Sequence, residues 1–383
     1  MYINYENRIF GLDVVRAVAI LLVIFSHSTL LIFPEEENIT LNIIRFFGTI
    51  GVDLFFVLSG YLIGNIILRQ LDKGYVRFKD FLYFWIRRWF RTLPNYFLIL
   101  LLNILVFYIL YDDIFDGIET FFVFLQNFVN PHPDFFTEAW SLSIEEYAYI
   151  IGPILLFLFL RLFKRVSKGQ IYLVMVISII LMTMALRLYF HFSHSILSNS
   201  YWSQHIRKVV VYRLDSIYFG FLAAYLIRHY FNYVRHRKNI FFYFGIIMFF
   251  GLHALIFRFG FEPENMPLFY NFFYLPLLSI SLLLFFPICI YWRQGKFFKR
   301  EVTSISILSY ALYLVNYSLI LLSMQYFINV DNLSVFGKLL MLLIYWFLSF
   351  TSAYLLHTYY EKPIMDLRDS KYFKRISHNQ VVK

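Results

Sequence analysis

Three ionisable residues lie within one long apolar stretch near the start of the chain: Asp13, Arg16 and His27, in GLDVVRAVAILLVIFSHSTLLIF (11–33). About 20 apolar residues of helix are enough to cross the hydrocarbon of a bilayer, and an ionisable group there is costly enough to indicate a functional role. Arg16 and His27 are eleven residues apart, or about three helical turns, so they share one face, with His27 roughly 16 Å further along the axis. The alternative is that these side chains only hold packed helices together.

A histidine on such a face can act as a general base towards a hydroxyl, especially where a carboxylate orients it. Asp53 lies in the second apolar stretch, GVDLFFVLSGYLI, while Glu145 and Glu146 lie in WSLSIEEYAY, at the start of a further one. Carboxylates at a helix start are also favoured by the helix dipole alone. We expect Glu145 to orient His27 or to stabilise its imidazolium. The alternatives for that role are Glu146 and Asp53, with Asp13 as further support.

Two groups of charged residues accompany these carboxylates. Arg87, Arg88 and Arg91 lie on adjacent turns of FWIRRWFRTLPNYF, where they could anchor the protein to anionic lipid or bind phosphate groups with their guanidinium forks. We expect them to bind the phosphates of a donor. Arg213 and Asp215 are two residues apart in VYRLDSIYFGFL and so point to different faces of a helix, where each needs its own partner or binds substrate.

The composition identifies the class of protein that must position these groups. Hydrophobic residues make up 60% of the 383 residues, aromatic residues 22% and charged residues 15%. A soluble protein could not bury that much apolar surface, so the chain is predicted to be an all-α integral membrane protein. The one cysteine, Cys289, excludes an internal disulfide. We expect no metal site, since the histidines at 191, 194 and 205 have no carboxylates close by in the sequence.

Ten transmembrane helices are predicted, and the segments between them are too short for a separate soluble domain, so residues 1–383 form one transmembrane domain. The apolar run at 121–129 is too short to span and is predicted to be re-entrant or to lie on the surface. The ten predicted spans are 11–33, 44–68, 92–111, 145–160, 171–190, 209–227, 240–257, 271–292, 303–328 and 339–360.

The basic residues alternate between the connecting segments. Of the 34 lysines and arginines, 26 lie before the first span, in the even-numbered connections or in the tail from Lys362, and 4 lie in the other connections. The positive-inside rule therefore places both the N-terminus and the C-terminus in the cytosol. The net charge of +10 is explained by topology and attraction to anionic lipid, so nucleic acid is not an expected partner.

Several of these stretches together resemble the acyltransferase-3 family of multi-pass membrane O-acyltransferases. Each motif is weak by itself, but they occur in order over nearly the whole chain. The matching stretches are LDVVRAVAILLVIFSH at 12–27, DLFFVLSGYLI at 53–63, RRWFRTLP at 87–94, WSLSIEEYAY at 140–149, YRLDSIYFGFLAAYL at 212–226, SYALYLVNYSL at 309–319 and YYEKP at 359–363.

The resemblance implies ten core helices and transfer of an acyl group, usually acetyl, from cytosolic acyl-CoA to a hydroxyl on a glycan or lipid-linked sugar. It also implies that His27 is essential, with Arg16 beside it. Two departures from the family pattern stand out. Val14 and Ala17 replace a usual pair of glycines, and Asn316 stands where many members have histidine, so no catalytic role is extended to that span.

The residues and the resemblance predict the same mechanism. Acyl-CoA, expected to be acetyl-CoA, is a co-substrate and not a permanently bound cofactor. Its phosphates dock at the arginines, its arm passes Arg16, and His27 deprotonates the acceptor hydroxyl in the cell membrane. The rival hypothesis is a transporter or flippase of a lipid-linked sugar or small acid. The acceptor, the acyl length, direct transfer against an acyl-enzyme, and the oligomeric state are left open.

Overall fold

A computed structural model describes residues 8–36 and 38–368 of the chain. Within these ranges the secondary structure is helical, without strands, and ten helices are long and apolar enough to cross a membrane. The all-α, ten-span prediction is confirmed. The cytosolic location of the termini stays a prediction, and the basic residues beyond Arg368 lie outside the described ranges.

Seven of the ten spans are single helices, and the last three are interrupted by π-helical segments at 269–274, 316–321 and 356–361, or by a turn at 284–285. Such segments are uncommon and often lie at functional sites. The α-helices in chain order are α1 Phe10–Ile32, α2 Ile39–Asp72, α3 Phe78–Tyr111, α4 Glu119–Phe122, α5 Ala139–Leu162, α6 Lys168–Ser193, α7 Asn199–Trp202, α8 Val210–His229, α9 Phe231–His236, α10 Lys238–Phe259, α11 Leu275–Leu283, α12 Phe286–Tyr291, α13 Lys299–Val315, α14 Leu322–Phe327, α15 Val335–Leu355 and α16 Lys362–Arg368.

The centre of the bundle is formed by α1, α2, α8 and α13, which pack against one another as the pairs α1–α2, α2–α8 and α1–α13. Glycines allow the closest approaches. A Cβ added to Gly60 of α2 would lie 1.9 Å from the carbonyl oxygen of Ile217 in α8, and one added to Gly51 would lie 2.5 Å from that of Ala19. Close contact between α1 and α2 therefore comes from glycines of α2, and does not need glycines at Val14 and Ala17.

Two buried ion pairs connect α8 to its neighbours. Arg213 pairs with Asp53 of α2, and Arg187 of α6 donates from Nη2 to Asp215 Oδ2 at 2.6 Å. Both arginine side chains are fully buried. Arg213 and Asp215 therefore have separate partners on different helices, as their spacing predicts. Removing one member of such a pair would leave a buried charge without its partner.

The helix that carries the arginine cluster is longer than predicted. The sequence places a span at 92–111, whereas α3 begins at Phe78, where the Asp80 carboxylate accepts from the backbone N–H of Arg77. The helix continues through Pro94. Arg87, Arg88 and Arg91 thus lie on one continuous helix.

The apolar run at 121–129 does not form a span. It leaves α4 at Phe122 and continues as turns that pack onto the bundle, with Phe121, Gln126 and Asn127 buried. Asn127 fixes the segment, since its Nδ2 donates to the carbonyl oxygens of Trp140 at 2.9 Å and Lys208 at 2.7 Å. This bond network holds the start of α5 beside the segment that precedes α8.

Candidate active site

Two cavities follow the charged face of α1. The arginine cavity, of about 380 Å³, includes Arg16 in its lining, and the histidine cavity, of about 250 Å³, includes His27. Val52 of α2 and Tyr313 of α13 line both, so the two cavities adjoin. The arginine cavity lies towards the end of the bundle where α1 begins, which we call the basic end. The histidine cavity lies towards the opposite end.

Among the residues that the structure describes, five arginines and one carboxylate line the arginine cavity: Arg16, Arg87, Arg88, Arg91 and Arg368, with Glu145. The three arginines predicted from the α3 motif are therefore brought together with Arg16 of α1. Arg87 and Arg91 are exposed, so the cavity opens at the basic end. A concave surface with this charge excess attracts a polyanionic ligand.

Glu145 belongs to the arginine cavity. Arg88 Nη2 donates to Glu145 Oε2 at 3.1 Å and lies 3.2 Å from Tyr149 Oη, and Tyr149 Oη also donates to the carboxylate at 2.8 Å. Ser59 Oγ lies 3.3 Å from the second oxygen. The carboxylate oxygens of Glu145 therefore accept hydrogen bonds from Arg88 and two hydroxyl groups.

Arg16 and Asp13 share a serine. Asp13 pairs with Arg8 and accepts from Ser306 Oγ at 2.8 Å, and Arg16 Nη1 lies 3.4 Å from the same Oγ. Asp13 is buried. Its carboxylate fixes the start of α1 against α13, where Ser306 lies, and it has a direct hydrogen-bonded partner in Arg8, not in Arg16.

The partner of His27 is an amide. His27 Nδ1 lies 2.5 Å from Asn316 Oδ1, and Tyr345 Oη donates to the same oxygen at 3.3 Å. The Asn316 Nδ2 group donates to the carbonyl oxygens of Leu312 at 2.6 Å and Tyr313 at 3.0 Å. Because two carbonyls take the amide N–H groups, the amide oxygen must face the imidazole, and Nδ1 must carry the proton.

This tautomer leaves Nε2 of His27 as the acceptor nitrogen. Among the described hydrogen bonds none engages Nε2, and the ring lies 4.7 Å from that of Tyr317, centroid to centroid. Asn316 begins the π-helical segment of the ninth span. The imidazole is thus held by one nitrogen and presents the other to the histidine cavity, which is the arrangement of a general base.

None of the carboxylates predicted to orient His27 contacts it in the part of the chain that the structure describes, while a role of Glu145 in stabilising the imidazolium stays a prediction. The hydrogen bonds of the described chain join Glu145 to Arg88, Glu146 to Thr92 at 3.0 Å, and Asp53 to Arg213. The cause is the start of α5, which begins at Ala139 and not at 145. Six residues of helix place Glu145 about 9 Å further towards the basic end.

A different carboxylate lines the histidine cavity. Glu138, at the N-cap of α5, accepts from Ser318 Oγ and from the Ser318 backbone N–H at 3.3 Å. Burial raises the pKa of this carboxyl to about 7. Sequence reasoning missed Glu138, although it directly precedes the AWSLSIEEYAY stretch. It also missed Asn316, treated there only as a departure from the family.

The histidine cavity also includes three basic residues, Arg45, Arg207 and Lys208. In the sequence Arg207 and Lys208 stand out only as exceptions to the distribution of basic residues. No three His, Cys, Asp or Glu side chains are placed to hold a metal ion in the part of the chain that the structure describes.

Comparison of the sequence with known proteins shows the family to which the chain belongs. The acyltransferase domain profile matches residues 9–358. The chain is 32% identical over 173 residues to the peptidoglycan O-acetyltransferase OatA of Listeria monocytogenes, a match that covers 40% of this chain and 25% of the relative. It is 32% identical over 201 residues to YrhL of Bacillus subtilis, provisionally named a peptidoglycan O-acetyltransferase, with 48% of this chain and 28% of the relative covered.

A similar match joins the chain to a provisionally named O-acetyltransferase of Staphylococcus aureus, 32% identical over 178 residues that cover 42% of this chain and 27% of the relative. These matches therefore span about a quarter of the length of the relatives. No solved structure matches the chain. Since the family profile covers nearly all of the sequence that builds both cavities, the chain belongs to the acyltransferase-3 family and is a multi-pass membrane acyltransferase domain.

Proposed function

We propose that the protein transfers an acetyl group from acetyl-CoA, bound in the arginine cavity, to a hydroxyl of a cell-surface glycan or lipid-linked sugar in the histidine cavity. The observation that carries the proposal is the Asn316-held imidazole of His27, in a cavity that adjoins one lined by five arginines. The two cavities provide a donor site and an acceptor site on one face of α1.

The charge of the arginine cavity supports a CoA donor. Its phosphates would dock at Arg87, Arg88 and Arg91, since guanidinium forks match phosphate geometry. The pantetheine arm would then pass Arg16 and cover the roughly 16 Å along α1 to His27. The basic end would face the cytosol, where acyl-CoA is made, in agreement with the distribution of basic residues.

The chemistry follows from the tautomer of His27. The acceptor hydroxyl gives its proton to Nε2 while its oxygen forms a bond to the thioester carbonyl carbon. The C–S bond breaks, and the CoA sulfur leaves with the electron pair and takes the proton from the imidazolium. Asn316 is a positioning residue, because it keeps Nδ1 protonated and fixes the plane of the ring.

The class of acceptor follows from the relatives. OatA of Listeria monocytogenes is named for O-acetylation of peptidoglycan, and YrhL of Bacillus subtilis provisionally so. We propose a glycan of that kind for this chain, acylated at the cell membrane by the membrane domain.

The proposal is tested by incubating the purified protein in lipid vesicles with radiolabelled acetyl-CoA and peptidoglycan fragments. We expect release of free CoA and transfer of the label to the glycan, neither of which occurs in vesicles without protein. A transporter would leave acetyl-CoA intact. Intact donor in the presence of folded protein and a range of glycan acceptors would overturn the proposal.

A further inference from the structure

The histidine cavity contains more positive charge than a base and a neutral sugar need. Arg45, Arg207 and Lys208 line it together with one carboxylate, Glu138. They come from two parts of the chain: Arg45 lies in α2, while Arg207 ends the π-helical segment at 203–207 and Lys208 follows it. Their convergence on one small cavity, about 250 Å³ in volume, gives that cavity a cationic lining beside His27.

The charge of Arg207 is fixed at the wall of the histidine cavity. Its guanidinium lies 5.0 Å above the ring of Trp140, and Nε donates to Ser203 Oγ at 3.3 Å. Its Nη1 atom is buried against the protein and has no hydrogen-bond partner among the described residues. Since no carboxylate of the described residues lies within ion-pair distance of this guanidinium, its positive charge remains available to an anion in the cavity.

The positive charge of Arg207 acts on the neighbouring side chain of Lys208. Burial, together with the charge of the neighbouring guanidinium, lowers the pKa of this lysine to about 8. Its backbone is fixed, because its carbonyl oxygen accepts from Asn127 Nδ2 at 2.7 Å. Asp134 opposes this shift in part, but no carboxylate of the described chain lies within ion-pair distance of the side chain. Two adjacent cations without such a pair attract an anion.

Arg45 completes the lining and makes no ion pair with a carboxylate of the described residues. Its Nη1 and Nη2 donate to the carbonyl oxygens of Glu36 at 3.1 Å and Phe33 at 2.5 Å, at the end of α1. These neutral acceptors position the guanidinium but leave its charge in place. The carboxylate of Glu138, which lines the same cavity, accepts hydrogen bonds from the backbone N–H and the hydroxyl of Ser318.

We propose that the histidine cavity binds an acceptor that carries an oxyanion, either a phosphate or a carboxylate, held by the charges of Arg207 and Lys208 next to the hydroxyl that His27 deprotonates. The inference rests on the proposed function and deepens it by naming the class of acceptor. The anion anchors the sugar at the charged wall and aims one hydroxyl at Nε2, while a neutral sugar lacks that anchor.

The test is a binding titration that does not depend on turnover. Glucose 1-phosphate, glucuronate and glucose are titrated by saturation-transfer NMR against the purified protein in detergent. We expect at least one of the two anions to bind at least about tenfold tighter than glucose, with a preference that falls as salt is added. The tighter of the two identifies phosphate or carboxylate as the natural group. Equal affinity for all three sugars overturns the proposal.

Substitutions of the basic lining residues test whether the anion binds in the histidine cavity. Arg207→Gln and Lys208→Gln should each remove most of the preference for the anion, whereas Lys338→Gln should retain it. Lys338 is a matched control, because it lies at the same end of the bundle, over the ring of Phe33, and outside both cavities. If Arg207→Gln does not fold, Arg207→Lys combined with Lys208→Gln serves instead. Full preference in folded variants of both residues contradicts the proposal.

The variant His27→Ala separates this inference from the proposed function. It should lose acyl transfer and keep the preference for the anion, since the imidazole is not a ligand of the oxyanion. A wild-type protein that prefers the anion but never consumes acetyl-CoA would support the site and overturn the proposed function. A wild-type protein that transfers acetyl groups but shows no anion preference would overturn the inference alone.

Discussion

The arginine cavity and the histidine cavity share four helices, α1, α2, α5 and α13, but hold their polar groups in different ways. In the arginine cavity three of the five described arginines come from successive turns of the regular helix α3. In the histidine cavity His27 and Arg45 also lie on regular helices, but other polar groups come from irregular positions: the N-cap Glu138 and two π-helical segments that contribute Arg207 and Tyr317.

The difference matches the two tasks proposed for the cavities. A row of arginines on one helix forms an open, adaptable surface, which suits the phosphates of a donor that enters and leaves. Irregular backbone directs single groups to defined points, and Asn316 is held by two carbonyls so that its oxygen meets one nitrogen of His27. Binding of the donor in the arginine cavity therefore relies on charge, and the chemical step in the histidine cavity relies on the positions of single side chains.

The largest expected effect is on the base. His27→Ala should lower acyl transfer by at least about 100-fold, because a general base contributes roughly that much or more. Binding of CoA, measured by calorimetry, should be unchanged. His253→Ala is the matched control: this half-buried histidine bonds to the Phe249 carbonyl oxygen of α10 and to Tyr274, and it lines neither cavity. Normal transfer by a folded His27→Ala protein would remove the base from the mechanism.

The positioning amide comes next. Asn316→Ala should lower kcat roughly 10- to 100-fold, the effect of losing a buried hydrogen bond worth about 1–3 kcal/mol, and should leave KM for acetyl-CoA unchanged. A purely structural role would lower thermal stability and leave the kcat of the folded fraction unaltered. Steady-state kinetics alongside thermal unfolding distinguish these outcomes.

Removing a single positive charge from the arginine cavity should weaken binding of CoA. Arg91→Gln should weaken CoA binding about tenfold, since a charge-assisted contact is worth roughly 1.5–3 kcal/mol, and the loss should shrink at high salt. Arg161→Gln removes the same charge near the same end, outside the cavity, and should bind CoA normally. Arg91 is a cleaner probe than Arg88, whose replacement also leaves Glu145 without its ion pair.

The variant Glu145→Gln tests whether Glu145 acts on Arg88 in the arginine cavity or on His27 in the histidine cavity. Since Glu145 pairs with Arg88 and not with His27, its neutral variant should reduce transfer only a few-fold, because Tyr149 still contacts Arg88. If the carboxylate did orient His27, the loss would equal that of Asn316→Ala. Parallel assays of the two variants decide between these assignments.

The smallest effect is a pH dependence at Glu138. Its folded pKa of about 7 lies above the usual 4.5, so its contribution to stability is present below about pH 4.5 and is lost as pH rises through 7. Glu138→Gln should therefore flatten the fall in thermal stability between those values. Anion binding by the wild type should also weaken above pH 7, as the carboxylate gains charge. An identical stability profile in the variant would remove Glu138 from this account.

The length of the apolar stretches predicted the ten spans, and helical periodicity predicted the shared face of Arg16 and His27, because regular helices repeat in sequence as they do in space. Both failed where helices begin or break. The start of α5 at Ala139 decides that Glu138 and not Glu145 lies near His27, and apolar residues alone do not fix that start. Asn316 was missed because an amide gives no charge to notice in an apolar span, and Arg207 because a π-helical segment has no sequence periodicity.

The central claim is that a donor at the basic end supplies an acyl group to an acceptor at the opposite end. The direct measurement uses proteoliposomes in which the protein has one known orientation, with radiolabelled acetyl-CoA on one side and peptidoglycan fragments on the other. The account predicts labelled glycan only when acetyl-CoA is on the side of the arginine cavity. Labelling that requires donor and acceptor on the same side, or that occurs equally in both arrangements, would contradict it.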